Sequence, residues 1–236
     1  SWLIKKPIAH RGLSDEENPE NSLAAFSRAI EKGFPIELDV RLIDDGTVVV
    51  FHDETLGRMT EHDGYVSTLK ADDLKELRLK KSDECIPTLE QTLSLVNGQV
   101  PLLIEIKGTG KIGALENKTI SLLKAYSGEY AIQSFDPYSL AYFKEHEPDI
   151  MRGQLSAAFG KKSGIPFFKR KALSQLKVTN ISAPHFISYC FSDLPNKYVA
   201  KKGLFTLAWT IRSNADYEQV KEHCDNIIFE RFLPNT

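Results

Sequence analysis

Apolar positions recur along the chain in two rhythms. Short runs rich in β-branched and aromatic residues fall at 7–10, 35–42, 102–106, 131–135, 152–155, 180–183, 204–209 and 226–229, and each reads as a buried strand. Between most of them lie helical patterns such as Ser22-Leu23-Ala24-Ala25-Phe26-Ser27-Arg28-Ala29-Ile30, which Gly33 then stops as a C-terminal cap. Eight strand-and-helix units in 236 residues match the size and rhythm of a TIM (β/α)8 barrel, whereas a doubly wound sheet offers about five or six strands. One stretch, 47–87, breaks the rhythm with an extra run, Val48-Val49-Val50-Phe51-His52, and a polar segment, Glu61-His62-Asp63-Gly64. It predicts an elaborated loop over the barrel mouth, spanning about 44–87, after the second strand. No linker, repeat or low-complexity tract divides the chain, so a single domain over 1–236 is expected.

Composition narrows the functional classes. At 42% hydrophobic residues the chain can fill one large core or two small ones. Its 30 basic residues balance 32 acidic ones, which gives no sign of a nucleic-acid partner. Cys85, Cys190 and Cys224 make no CxxC pair and cannot all pair internally, so they read as reduced thiols rather than a disulfide framework or zinc cluster. Ser1-Trp2-Leu3-Ile4-Lys5-Lys6 is too short an apolar run for a signal peptide, and no stretch approaches the roughly 20 apolar residues of a membrane span. A soluble, cytoplasmic protein is the default expectation; the missing initiator Met leaves export through a removed leader open.

The candidate chemistry sits at strand ends. In Ile36-Glu37-Leu38-Asp39-Val40 a strand's period of two turns both carboxylates to one face, the interior face of a barrel, and the aliphatic residues to the other. Leu103-Ile104-Glu105-Ile106-Lys107 repeats the layout with Glu105 and Lys107. Interior carboxylates resist ionisation unless a positive charge lies between them, so Glu37, Asp39 and Glu105 call for a hard divalent cation. A structural ion-pair cluster around Lys107 is the competing explanation, but three carboxylates against one lysine leave negative charge uncompensated. His10-Arg11-Gly12 and His52-Asp53 also follow β runs, where barrel active sites lie. Two imidazoles to move protons and one permanent cation for the phosphoryl oxygens are what phosphodiester cleavage needs.

As a set, Ala9-His10-Arg11-Gly12, Asn18-Pro19-Glu20-Asn21-Ser22, Glu37-Leu38-Asp39-Val40 and His52-Asp53 closely resemble the glycerophosphodiester phosphodiesterase family. The resemblance runs in order through Lys107 and continues more loosely through Gln133-Ser134-Phe135 and Ala208-Trp209-Thr210. It implies a TIM barrel, one Mg²⁺ or Ca²⁺ on Glu37, Asp39 and Glu105, and His10 with His52 as the general acid and base. It further implies Arg11 and Lys107 on the phosphate and Glu20 supporting the mouth loop. The implied substrates are small-molecule glycerophosphodiesters, cut to an alcohol and glycerol 3-phosphate, with the glycerol 2-hydroxyl as internal nucleophile. Two departures stand out: Ser22 where the family commonly has Thr, which keeps a helix-capping hydroxyl, and Phe229-Glu230 where it often has Thr-Asp.

Phe135 and Trp209 each fall at a strand end and could form an apolar wall beside the substrate; ordinary core is the alternative. From 150 to 192 there is no Asp or Glu, while Arg152, Lys161, Lys162, Lys169, Arg170, Lys171 and Lys177 are interleaved with Phe159, Phe167 and Phe168. That stretch, 152–177, suggests contact with an anionic membrane or simply a solvated helix face. His62, His146, His185 and His223 receive no role, His185 being the best placed to reach the mouth. Lysophospholipase D activity, a phosphoinositide-type phospholipase C, and a catalytically inactive phosphodiester-binding barrel are the alternative readings.

Overall fold

The computed structural model describes residues 1–108, 111–160 and 164–234. Within them the chain forms two compact units: Ala9–Tyr130, and Ser1–Ile8 with the chain from Ala131 onward. In the first unit β1 (Ile8–His10), β2 (Ile36–Leu42) and β4 (Leu102–Ile106) run parallel, with Ala9 beside Ile36, His10 beside Glu37, and Asp39 beside Glu105. Helix α1 (Leu23–Glu31) lies between β1 and β2, α2 (Leu89–Val96) precedes β4, and α3 (Ala114–Leu123) follows it. Burial along β2 is continuous from Ile36 to Arg41, as in a parallel strand covered on both faces. Helix α1 begins where Ser22 accepts a hydrogen bond from Ala25 N at 3.1 Å, buries Ala25, Phe26 and Ala29, and is followed by Gly33 at φ 64°. The turn from β1 into α1 admits only glycine at position 12, where φ is +83° and a Cβ would stand 2.9 Å from the Ala25 backbone.

Strand β3 (Val48–Val50) pairs antiparallel with β2, Val40 opposite Val50 and Leu42 opposite Val48. The chain that follows packs around a core of its own: Ile43, Val49, Phe51, Leu56, Val66, Leu74, Leu77, Leu79 and Ile86 are all buried together. At about 1.5–3 kcal/mol for each such side chain removed from water, this cluster gives the insert a large gross driving force without any α-helix. The elaborated loop expected after the second strand is present and forms a cap with a core of its own.

In the second unit β5 (Tyr130–Ser134), β6 (Arg152–Ser156), β7 (Phe186–Cys190), β8 (Phe205–Ile211) and β9 (Asn226–Phe229) follow one another in parallel. Their connections hold α4 (Pro137–His146), α5 (Phe167–Ser174), α6 (Thr179–Ser182), α7 (Lys197–Ala200) and α8 (Asn214–Val220). Gly153 on β6 has no room for a side chain, since a Cβ would fall 2.1 Å from the Phe186 ring on β7. Eight parallel strands with helices between them make the fold a TIM (β/α)8 barrel, with β3 bonded outside the ring. The strand expected at 180–183 is corrected: Thr179–Ser182 is one helical turn that ends in left-handed backbone at Ala183, and the strand lies at Phe186–Cys190. Ile181 is the only large apolar residue of the expected run and is 37% exposed, whereas Phe186, Ile187 and Tyr189 are fully buried. The three cysteines are free, in keeping with reduced thiols.

Candidate active site

Strand alternation and register bring the carboxylates together. Glu37 and Asp39 share one face of β2, and the parallel pairing sets Asp39 directly beside Glu105 on β4. Carboxylate oxygens of Glu37, Asp39 and Glu105 lie within 4.8 Å of one another, and all three residues are buried. Lys107 reaches back to Asp39 Oδ1 at 3.2 Å and Glu105 Oε1 at 2.6 Å. Arg11, in left-handed backbone at φ 57° past the end of β1, donates its backbone N–H to Glu37 Oε2 at 3.2 Å. Its guanidinium pairs with Asp39 Oδ2 at 3.1 Å and Glu20 Oε1 at 2.6 Å.

Each histidine reaches this cluster by a different route. His10 closes β1 beside Glu37, its Nε2 3.9 Å from Glu37 Oε2. His52 is delivered by β3: its neighbour Phe51 donates its N–H to Asp39 O at 2.9 Å, and Arg41 grips the His52 carbonyl at 2.9 and 2.7 Å. His52 Nδ1 lies 2.6 Å from Asp53 Oδ1, so a proton on Nδ1 leaves Nε2 for chemistry. Arg58 then joins Asp53 Oδ2 to both oxygens of Glu20, the latter at 3.0 and 2.6 Å. His52, Asp53, Arg58, Glu20, Arg11 and Asp39 thus form one continuous chain of polar contacts.

The charges within it do not balance. Burial, together with Asp39 and Glu105, pushes the Glu37 carboxyl well above its ordinary pKa. Burial likewise pushes Glu105 up to about 7 despite Lys107. Burial works against ionised Asp39 too, but Lys107 and Arg11 outweigh it and hold that carboxyl far below the usual range. Burial lowers the His52 imidazole, partly opposed by Asp39. Asp39 Oδ1 is buried and, apart from its ion pair with Lys107, has no hydrogen-bond partner among the described residues. An all-oxygen donor set, two members of which resist ionisation without added positive charge, fits a hard divalent cation. Lys107 does sit among the carboxylates as an ion-pair cluster requires, yet it leaves Glu37 and Glu105 short of compensation.

Sequence reasoning passed over four residues. Asn21, buried in left-handed backbone at φ 59°, donates to Asp39 Oδ2 at 2.9 Å, while its own N–H holds Arg11 O at 3.0 Å. Asp53, Arg58 and Arg41 were the others. Asn21 and Asp53 stand inside the motifs that carry Glu20 and His52, which was the available signal; Arg58 and Arg41 had none.

The remaining expected residues belong to the second unit. Phe135 and Trp209 meet edge to face at 5.7 Å, and Phe159 joins Phe135 at 6.0 Å. Trp209 Nε1 is buried without a hydrogen-bond partner among the described residues. Glu230, just past β9, pairs with Arg212 Nε at 2.7 Å. His185 does not reach the mouth: it precedes β7, at the amino end of the strand, and its Nδ1 accepts from Arg152 N at 3.1 Å. Arg152 is no surface cation, being 4% exposed and bonded to the carbonyls of Pro148 and Ile150. Lys161 and Lys162 lie outside the described residues.

A (β/α)8 barrel with converging carboxylates, two imidazoles and buried basic groups at its strand ends has the chemistry that phosphoric ester hydrolysis requires. Comparison with known proteins gives the particular kind. The profile of the glycerophosphoryl diester phosphodiesterase family matches residues 10–232. The glycerophosphodiester phosphodiesterase of Caldanaerobacter subterraneus subsp. tengcongensis is 34% identical over 94% of this chain and 92% of its own. A phosphodiesterase of Oleispira antarctica, solved with the product sn-glycerol-3-phosphate, superposes with a TM-score of 0.82 at 24% identity, covering 96% of this chain and 93% of that one. The Thermotoga maritima glycerophosphodiester phosphodiesterase does so at 0.72 and 26% identity, covering 95% and 94%. The chain belongs to the glycerophosphoryl diester phosphodiesterase family and is a phosphoric diester hydrolase of glycerophosphodiesters. No helix among the described residues is long and apolar enough to cross a membrane.

Proposed function

We propose that this enzyme cuts glycerophosphodiesters to an alcohol and glycerol 3-phosphate with one divalent cation, Mg²⁺ or Ca²⁺, held by Glu37, Asp39 and Glu105, and with His10 and His52 as the acid and base pair. The observation that carries the proposal is the convergence of three buried carboxylates within 4.8 Å, flanked by both histidines. When bound, such a cation supplies positive charge to the phosphoryl oxygens and to the developing alkoxide. Arg11 and Lys107 add fixed positive charge around the same oxygens, and Glu20 orients Arg11 through their 2.6 Å contact. One imidazole takes the proton of the glycerol 2-hydroxyl as it attacks phosphorus, and the other protonates the departing alcohol; the pair exchange roles as water opens the cyclic phosphate. Asp53 fixes the His52 tautomer in either role. Phe135 and Trp209 would provide an apolar wall for the glycerol or alcohol part. The family match spans both units, which supports one catalytic domain over 1–236.

A panel of Mg²⁺, Ca²⁺ and Mn²⁺ against glycerophosphocholine and lysophosphatidylcholine tests this reading. Release of glycerol 3-phosphate from the first substrate with at least one ion is expected. Turnover of lysophosphatidylcholine alone would move the enzyme to the lysophospholipase D alternative. No turnover with any ion would reduce the barrel to a phosphodiester-binding protein.

A further inference from the structure

Helix α5 is anchored at one end and bare at the other. Near its carboxyl end Leu173 is buried, Ser156 Oγ donates to Leu173 O at 2.9 Å, and Tyr189 OH donates to Ser174 O at 2.9 Å. At its amino end Phe167 is 57% and Phe168 84% exposed, the two rings meeting edge to face at 5.4 Å. Lys169 and Lys171 are exposed, and Arg170 lies over the Phe167 ring at 5.7 Å while its Nη1 donates to Gly160 O at 3.4 Å. No acidic residue occurs from 150 to 192; Asp193, on the segment after β7, accepts from Ala158 N at 2.7 Å.

We propose that the amino end of α5 is a docking wedge for an anionic lipid surface, with Phe167 and Phe168 entering the headgroup region and Lys169, Arg170 and Lys171 binding lipid phosphates. Charge selects the occupant: three cations in successive positions, beside two apolar rings, complement a negative surface. Area argues against a second copy of the chain. At about 200 Å² per phenylalanine, the exposed parts of the two rings offer about 300 Å², far below the roughly 1,200–2,000 Å² of a stable protein interface. A ring pair projecting from a helix end suits a fluid interface, which closes around it without shape complementarity. The proposal is independent of the acid and base assignments, since no α5 residue belongs to the catalytic cluster.

The test is flotation of the full chain with phosphatidylcholine vesicles containing or lacking phosphatidylglycerol. Each basic residue near an anionic surface multiplies partitioning about fivefold, so Lys169→Gln/Arg170→Gln/Lys171→Gln should weaken binding to the phosphatidylglycerol vesicles by about 100-fold. Added salt should weaken wild-type binding, and Phe167→Ser/Phe168→Ser should reduce it at constant charge. Hydrolysis of a soluble glycerophosphodiester should be unchanged in both variants. The proposal is overturned if wild-type protein ignores phosphatidylglycerol, or if the charge variant binds as tightly as wild type. It is equally overturned if the phenylalanine variant alters only self-association in sedimentation while lipid binding stays at background.

Discussion

Replacing Arg58 by alanine removes a side chain that ties the His52–Asp53 pair to Glu20 and, through it, to Arg11. The guanidinium makes three charge-assisted contacts, one to Asp53 and two to Glu20, with its side chain 45% exposed. Such bonds contribute about 1.5–3 kcal/mol when buried and about 0.2–1 kcal/mol in water, so about 0.5 kcal/mol each is appropriate here. The total of about 1.5 kcal/mol corresponds to a fall in Tm of about 3–6 °C. The larger effect falls on turnover. Asp53 keeps His52 but loses its own support, and Glu20 can swing with Arg11 away from the phosphate. Loss of comparable outer partners costs about 10–100-fold, so kcat/KM should drop by that factor, or about 1.4–2.7 kcal/mol of transition-state stabilisation. Arg58→Lys keeps the charge but not the fork and should fall between the two. The assay is steady-state hydrolysis of glycerophosphocholine with bound metal measured in parallel. Guanidinium added to Arg58→Ala should restore part of the rate through the solvent-facing gap. A variant with the lowered Tm but kcat/KM within about twofold of wild type would refute the positioning argument.

Three further outcomes follow from the same contacts. Glu37→Ala should lose metal binding and activity together, whereas His52→Ala should keep the metal and lose at least about 100-fold in kcat; calorimetric titration alongside kinetics separates them, and an active Glu37→Ala would overturn the ligand assignment. Asn21→Ala strips a buried donor from Asp39 and should destabilise the protein by about 1–3 kcal/mol in urea unfolding, with weaker metal binding; an unchanged midpoint would contradict the role of that bond. Because burial lowers the His52 pKa while the Asp53 hydrogen bond opposes the shift, an NMR titration of metal-free protein should place His52 below 6.5, and Asp53→Asn should place it lower still; a shift upward would show the sign to be wrong.

What the chain discloses by itself depends on whether a residue's meaning is local. Glu37, Asp39 and Glu105 were legible because alternation along a strand fixes the face each occupies, and the parallel register then sets Asp39 against Glu105 without further information. His10 and Arg11 were legible as the end of a strand. Asn21 was not, since an asparagine in a turn reads as solvated until the left-handed backbone at φ 59° aims it at a carboxylate eighteen positions away. Arg58 acquires its role by joining Asp53 to Glu20, the latter a contact across 38 positions. The sixth ring strand was misplaced because Ser188 interrupts its apolar run; the buried serine donates to Gln133 Oε1 at 2.7 Å, a partner on another strand. Arg152 looked like part of a basic surface for a similar reason, its carbonyl partners being supplied by the turn before its own strand.

The separately packed insert after β2 has a consequence for how this scaffold can change. The clustered carboxylates are rooted in ring strands, where any shift in register would disturb the core, whereas His52, Asp53 and Arg58 ride on a cap with its own buried cluster. On the proposed roles, the ion's ligands and His10 share the ring strands, while the second imidazole, His52, rides on the cap. On the same reading, loosening the cap should give a protein that still loads metal yet loses turnover.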